Sequence, residues 1–129
     1  MYNQIVICNG STTSPAVLVH ELVHMYDHCT ADMDFGRPDH LACTEVRAAA
    51  LADCTAPSTT SGSHQDCVRE RAVKSVKAIS GASEEGARAS VAGVFQKCYR
   101  DMEPIGRRCY GYGDQYRALG EYRHFFRTE

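Results

Sequence analysis

Residues 20–24 read His-Glu-Leu-Val-His, a combination of residue types and spacing that could hold and use a metal ion. On a helix, His20 and His24 lie four residues apart, so both imidazoles leave the same face one turn apart. Glu21 lies beside them, where its carboxylate reaches a water on the metal rather than the metal itself. Because a zinc peptidase needs two neutral nitrogen ligands, an open coordination position and a neighbouring carboxylate base, the segment predicts such an enzyme.

The residues before the motif predict the elements that position it. Ser14 and Pro15 are typical of an N-cap followed by proline at the first helical position, and the apolar residues that follow predict a buried, central helix. Residues 4–8 are rich in β-branched side chains and precede an Asn-Gly turn, which predicts a short strand. A strand followed by a ligand-bearing helix is the core of a zincin, where the free strand edge can align an extended peptide.

Two histidines leave a zinc site one protein ligand short. The nearby residues able to supply it are Asp27, His28, His40 and Glu45. On a continuous helix, His28 would lie roughly 12 Å along the axis from His20, so a third ligand from the same helix does not converge easily on one ion. A ligand from a second helix is therefore preferred.

The second helix is predicted to begin at Pro38, because a segment of strongly helix-forming composition follows. Glu45 stands 21 residues after His24, which is enough for a loop and a return. Glu45 is therefore predicted to be the third zinc ligand. The alternative is a solvated Glu45 that pairs with Arg47 or Arg71.

The same constellation predicts a mechanism. Glu21 would take a proton from the zinc-bound water and pass it to the leaving amine. The oxyanion in such sites usually has a second stabiliser from outside the motif, and the candidates are His64, Arg69, Arg71 and Tyr26. His64 is preferred, with a capping or surface histidine as the alternative. The zinc-bound histidines should donate their other N–H to a carboxylate or carbonyl, for which Asp27 and Asp53 are candidates.

Three separated blocks resemble a known family. Residues 20–29, 40–49 and 64–72, with a closing segment at 101–106, resemble the mitochondrial inner-membrane metalloprotease and ATP-synthase assembly factor family (the Atp-twenty-three type, also called Ku-seventy-binding). The resemblance implies a zinc-dependent, zincin-like protein of the intermembrane space, peripheral to the inner membrane. It also implies cleavage of the precursor of the ATP synthase proton-channel subunit, with a separate chaperone-like role in assembling that client.

The resemblance covers about residues 4–106, so we expect a metalloprotease domain at 1–106 and an aromatic and basic interaction tail at 107–129. The family normally carries a longer, cysteine-containing region before the strand, so the chain is expected to be a fragment or a protein that lost it. The short region before the strand and the aromatic, basic tail suit an alternative function. In that alternative the chain is a catalytically silent zinc-binding structural subunit or assembly factor in a larger mitochondrial complex. A plain helical binding module with an accidental motif is the third hypothesis.

Composition predicts one small globular domain, because 129 residues leave room for a single core. A net charge of −2 gives no electrostatic case for nucleic-acid binding. No stretch approaches the roughly 20 apolar residues needed to span a bilayer, so membrane association is expected to be peripheral.

The chain has seven cysteines and no Cys-x-x-Cys pair, which favours disulfides between helices over a structural zinc site. Each disulfide would stabilise the fold by about 2–4 kcal/mol. The predicted pairs are Cys54–Cys67 and Cys29–Cys43, and the odd count leaves at least one thiol free or bonded to another chain. The alternative is that the cysteines are buried and reduced.

Two further helices are predicted downstream. Ser63 with Asp66 forms an acidic capping box before the first, which Gly81 ends, and Ser83 precedes the second. The predicted fold class is therefore mainly α with a short β element, a compact minimal zincin-like metalloprotease domain with disulfide-stapled helices.

Overall fold

The computed structural model describes residues 15–54, 63–108, 117 and 120. Four α-helices account for most of them, with a π-helical segment continuing the second helix. Their bounds are α1 Pro15–Thr30, α2 Pro38–Ala48, the π-helical segment Ala49–Asp53, α3 His64–Ser80 and α4 Glu84–Arg100.

The predicted fold class is wrong in its β element. The described residues form helices and contain no strand, and the predicted strand at 4–8 lies outside them. Helices α2, α3 and α4 bury apolar side chains against one another, so helix-on-helix packing closes this core without a sheet. The described part of the chain is therefore helical, and two disulfides join its helices.

The predicted helix boundaries are mostly confirmed. Pro15 and Pro38 begin α1 and α2, while Ser14 lies outside the described residues. Ser63 and Asp66 make the reciprocal capping box at the start of α3. Gly81 ends α3 with φ 72°, a left-handed conformation that glycine adopts without strain.

Two apolar clusters hold the helices together. The larger lies between α2, α3 and α4 and is built from buried side chains such as Val46, Val76 and Phe95. In the smaller cluster, Val19 and Val23 of α1 pack against the π-helical segment and the turn that follows α4. The candidate metal-binding motif therefore lies on a helix that is anchored by apolar contacts of the residues next to the two histidines.

One predicted disulfide is confirmed and the other is wrong. Cys54 bonds Cys67, with a Cα–Cα distance of 6.0 Å. Cys43 bonds Cys98 at a Cα–Cα distance of 5.4 Å rather than Cys29. The reason is that the face of α2 bearing Cys43 packs on α4, while Cys29 is exposed near the end of α1.

No helix in the described ranges combines the length and the apolar character required to cross a membrane.

Candidate metal centre

Helices α1 and α2 bring the three predicted zinc ligands together. The Nε2 atoms of His20 and His24 are 3.0 Å apart. Glu45 places one carboxylate oxygen 3.4 Å from Nε2 of His24 and the other 3.6 Å from Nε2 of His20. One potential ligand atom from each residue therefore lies within 4.8 Å of the other two.

These separations fit a tetrahedral zinc site. Zinc bonds to nitrogen and oxygen are about 2.0–2.1 Å long, so neighbouring ligand atoms around a tetrahedron lie roughly 3.4 Å apart. The two imidazole nitrogens are 3.0 Å apart, and they lie 3.4 and 3.6 Å from the two different oxygens of the Glu45 carboxylate, which is close to that value. A set of two imidazoles and one carboxylate is also a donor combination of catalytic zinc, which keeps its fourth position for water or substrate.

The π-helical segment orients His20. Its last residue, Asp53, accepts a hydrogen bond from Nδ1 of His20 at 2.9 Å. With the proton on Nδ1, the lone pair of Nε2 is available to a metal. Asp53 thus takes the supporting position that the sequence suggested for it.

A second set of buried groups orients His24. Its Nδ1 lies 2.8 Å from the hydroxyl oxygen of Thr44, and that hydroxyl donates to Asp27 at 2.8 Å. Asp27 in turn accepts from the guanidinium of Arg47 at 2.9 Å. Asp27, the other suggested supporting carboxylate, therefore acts on His24 through a hydroxyl group rather than directly.

Burial and neighbouring charges set the protonation of the three candidate ligands. It lowers the pKa of His24 to about 3, helped by the charge of His20, so this imidazole is neutral at pH 7. Burial raises the pKa of Glu45 to about 7, although the charge of His20 and a hydrogen bond from Ser75 oppose the shift. Burial alone would lower the pKa of His20, but Asp53 and the nearby glutamates raise it above its ordinary value.

The burial of Glu45 is itself a reason to expect a cation. Its side chain is only 2% exposed, and a buried carboxylate is costly unless a positive charge or hydrogen bonds compensate it. A divalent ion between the two imidazoles and this carboxylate would supply that compensation.

Glu21 stands at the solvent side of the site. It is exposed on α1, and its negative charge raises the pKa of both His20 and Glu45, so it lies within electrostatic reach of the ligand set. A carboxylate in this position is accessible to water and substrate, as a general base must be.

A family model described as Peptidase M76 matches residues 1–106. The chain belongs to the Peptidase M76 family. This is a metallopeptidase family, which agrees with the donor atoms offered by His20, His24 and Glu45, together called the triad below. The resemblance found from the three sequence blocks is confirmed.

Curated relatives of this Peptidase M76 chain carry one kind of name. "Mitochondrial inner membrane protease ATP23 homolog" from Homo sapiens is 42% identical over 118 residues, 81% of this chain and 48% of that protein. The Xenopus laevis protein of the same name is 41% identical over 81% of this chain and 50% of its own. "Mitochondrial inner membrane protease ATP23" from Malassezia globosa is 34% identical over a match that covers 78% of this chain and 46% of that protein.

The chain thus spans about half the length of these relatives. No solved structure matches it.

His64 lies at the start of α3 and is not one of the three grouped ligands. Burial lowers its pKa, so the ring is neutral and has one donor and one acceptor nitrogen. Nε2 donates to the carbonyl of Cys54 and Nδ1 accepts from the hydroxyl of Tyr99, each at 2.7 Å. A role in binding the oxyanion stays a prediction. It would require His64 to give up one of these two hydrogen bonds and to donate to the oxyanion instead.

The structure places the other sequence candidates around the site rather than in it. The ring of Tyr26 faces the guanidinium of Arg47, whose Cζ lies 5.9 Å from the ring centroid. His28 packs against Phe35, and His40 accepts a hydrogen bond from the backbone of the loop before α2. Arg69 stacks on a ring of α4, 4.0 Å from its centroid, and Arg71 is exposed.

Sequence reasoning missed two residues of this Peptidase M76 site. Thr44 received no role, and Arg47 was considered only as a partner of Glu45, whereas the structure pairs it with Asp27. The signal that could have found them is the spacing of Thr44 and Arg47, which places both on the side of α2 that returns to α1.

Proposed function

We propose that this chain is a zinc endopeptidase of the mitochondrial intermembrane space, peripheral to the inner membrane. The observation that carries the proposal is the convergence of His20, His24 and Glu45 from two helices, with Glu21 exposed beside them. The donor set, the spacing of its atoms and membership of the Peptidase M76 family support it.

The mechanism follows from the groups around the triad. Bound zinc would supply Lewis acidity, which activates a water and polarises the scissile carbonyl. His20 and His24 would present their Nε2 lone pairs, because Asp53 and Thr44 hold the protons of both rings on Nδ1. Glu21 would accept the proton of the attacking water and deliver it to the amine as the peptide bond breaks.

The proposed substrates are proteins, and specifically the precursor of the ATP synthase proton-channel subunit. The names of the relatives, which describe proteases of the mitochondrial inner membrane, support protein substrates. The particular precursor is what the family resemblance of residues 20–29, 40–49 and 64–72 implies. The two disulfides support an oxidising compartment such as the intermembrane space over a reducing one.

Zinc content and cleavage of that precursor by the full chain test the proposal. The wild type is expected to hold one zinc ion and to cleave, whereas His20→Ala removes one of three protein ligands and should lose both properties. His40→Ala is the matched control, because His40 binds a loop backbone outside the triad. If the wild type binds zinc but does not cleave the precursor, the chain is a catalytically silent structural subunit rather than a peptidase. If the wild type binds no zinc, the proposed metal site is wrong.

Zinc affinity is expected to rise with pH between about 5 and 8. Glu45 has a pKa of about 7 before zinc binds, and the pKa of His20 is also raised, so below these values a proton must leave before coordination. Above these pKa values the ligands are already deprotonated, so protons no longer compete with zinc for them. Chelator competition should give a much weaker zinc affinity at about pH 5.5 than at about pH 7.5, and equal affinities at these two pH values would contradict the assignment.

A further inference from the structure

We propose that Thr44 and Arg47 are positioning residues for His24, and that they connect this metal ligand to the turn that follows α4. The proposal rests on the proposed zinc site and adds to it the residues that hold one ligand in place. Its evidence is a continuous series of hydrogen bonds between His24 and the backbone of Asp101 and Glu103, buried at its centre and partly buried at both ends.

The direction of the hydrogen bonds in this series is fixed at its carboxylate. Asp27 is ion-paired with Arg47, and an ionised carboxylate can only accept hydrogen bonds. The single hydroxyl proton of Thr44 must therefore point to Asp27. The hydroxyl oxygen is then left to accept from Nδ1 of His24, which selects the tautomer whose Nε2 lone pair faces Glu45.

The other end of the series is held by the turn after α4. Arg47 donates to the carbonyl of Asp101 at 2.6 Å and to the carbonyl of Glu103 at 2.5 Å, and its Nη1 lies 2.9 Å from the Asp101 carboxylate. The guanidinium is only 3% exposed. Because its planar fork makes bonds in fixed directions, the turn sets the position of Arg47, and Arg47 sets that of Asp27.

The two histidines of the triad are supported in different ways. His20 has one direct carboxylate partner, Asp53, which is 21% exposed. The support of His24 is buried and passes through three residues to a segment far along the chain. Docking of the turn and binding of zinc should therefore strengthen each other, since coupling between two sites is reciprocal.

Zinc affinity of Thr44 variants tests the proposal. Thr44→Val keeps the shape of the side chain and removes the hydroxyl, so zinc binding should weaken about 10- to 100-fold. Thr44→Ser keeps the hydroxyl and should restore affinity close to that of the wild type. The measurement is competition with a chromophoric chelator, supported by the absorption spectrum of the Co²⁺-substituted full chain.

The matched control is Thr30→Val, which removes a helical threonine hydroxyl that donates to a backbone carbonyl of α1 itself. Its zinc affinity should be unchanged. Arg47→Lys is the second variant, because it keeps the charge beside Asp27 but loses the planar guanidinium that donates to two backbone carbonyls of the turn. It too should weaken zinc binding, and it answers the question independently if Thr44→Val does not fold.

Hydrogen exchange gives a readout at the other end of the series. The amide of Gly106 bonds the carbonyl of Met102 within the turn, and zinc should slow its exchange in the wild type but much less in Thr44→Val. Equal zinc affinity in wild type, Thr44→Val and Arg47→Lys would overturn the inference and leave the proposed function standing. A wild-type chain that binds no zinc would overturn both.

Discussion

Replacement of Glu21 by glutamine is expected to lower the rate of precursor cleavage by about 10²- to 10⁴-fold, the usual contribution of general acid–base catalysis. The amide keeps the size of the side chain but cannot accept the proton of the attacking water. Glu21 is exposed and is not one of the three grouped ligands, so one zinc ion should still bind. Single-turnover cleavage and metal analysis of the same preparation measure the two properties together.

Glu85→Gln is the control for that variant. Glu85 is also an exposed helical glutamate, but it lies in the first turn of α4, away from the triad. Its removal should leave both cleavage and zinc content unchanged. Undiminished cleavage by Glu21→Gln would show that another group acts as the base.

Substitution of Arg47 by methionine is expected to lower the free energy of unfolding by about 3–5 kcal/mol. The loss arises because Asp27, 5% exposed, would remain as a buried charge without its ion-pair partner. Burial already raises the pKa of Asp27, and Arg47 opposes that rise. In the variant the pKa should rise further, so the destabilisation should shrink as the pH falls through it and Asp27 becomes neutral.

Urea denaturation of the disulfide-bonded chain without zinc measures this effect. Arg88→Met is the matched control, since Arg88 makes two ion pairs but lies on the surface, where such pairs contribute little. The double variant Asp27→Asn, Arg47→Met should recover part of the lost stability, because no unpaired charge remains. Equal losses in Arg47→Met and Arg88→Met would contradict the buried network.

Local rules were enough to predict most helix boundaries. Proline at Pro15 and Pro38, the Ser63–Asp66 box and Gly81 each act within one turn of the backbone, so neighbouring residues determine them. The choice of Glu45 as third ligand also followed from local geometry, because one helix could not bring three ligands to one ion and the next helix had to return.

What the sequence did not predict depends on contacts between distant segments. The bond between Cys43 and Cys98 spans 55 residues and depends on how α2 packs against α4. Helical spacing alone does not reveal which face of α2 meets which helix. The same is true of Arg47, whose partners at 101–103 lie more than 50 residues away along the chain.

The β element of the predicted fold class is wrong for the described residues, which contain no strand. The sequence predicts that element at the β-branched residues 4–8, which lie outside the described ranges. The described core needs no sheet, because α1 is anchored by Val19 and Val23 against the π-helical segment.

X-ray absorption at the zinc edge of the full chain tests the central claim most directly. We expect two imidazole nitrogens, one carboxylate oxygen from Glu45 and one exchangeable oxygen around the zinc, and Glu45→Ala should lose one protein oxygen from this shell. A shell filled entirely by protein donors, or one unchanged in Glu45→Ala, would contradict it.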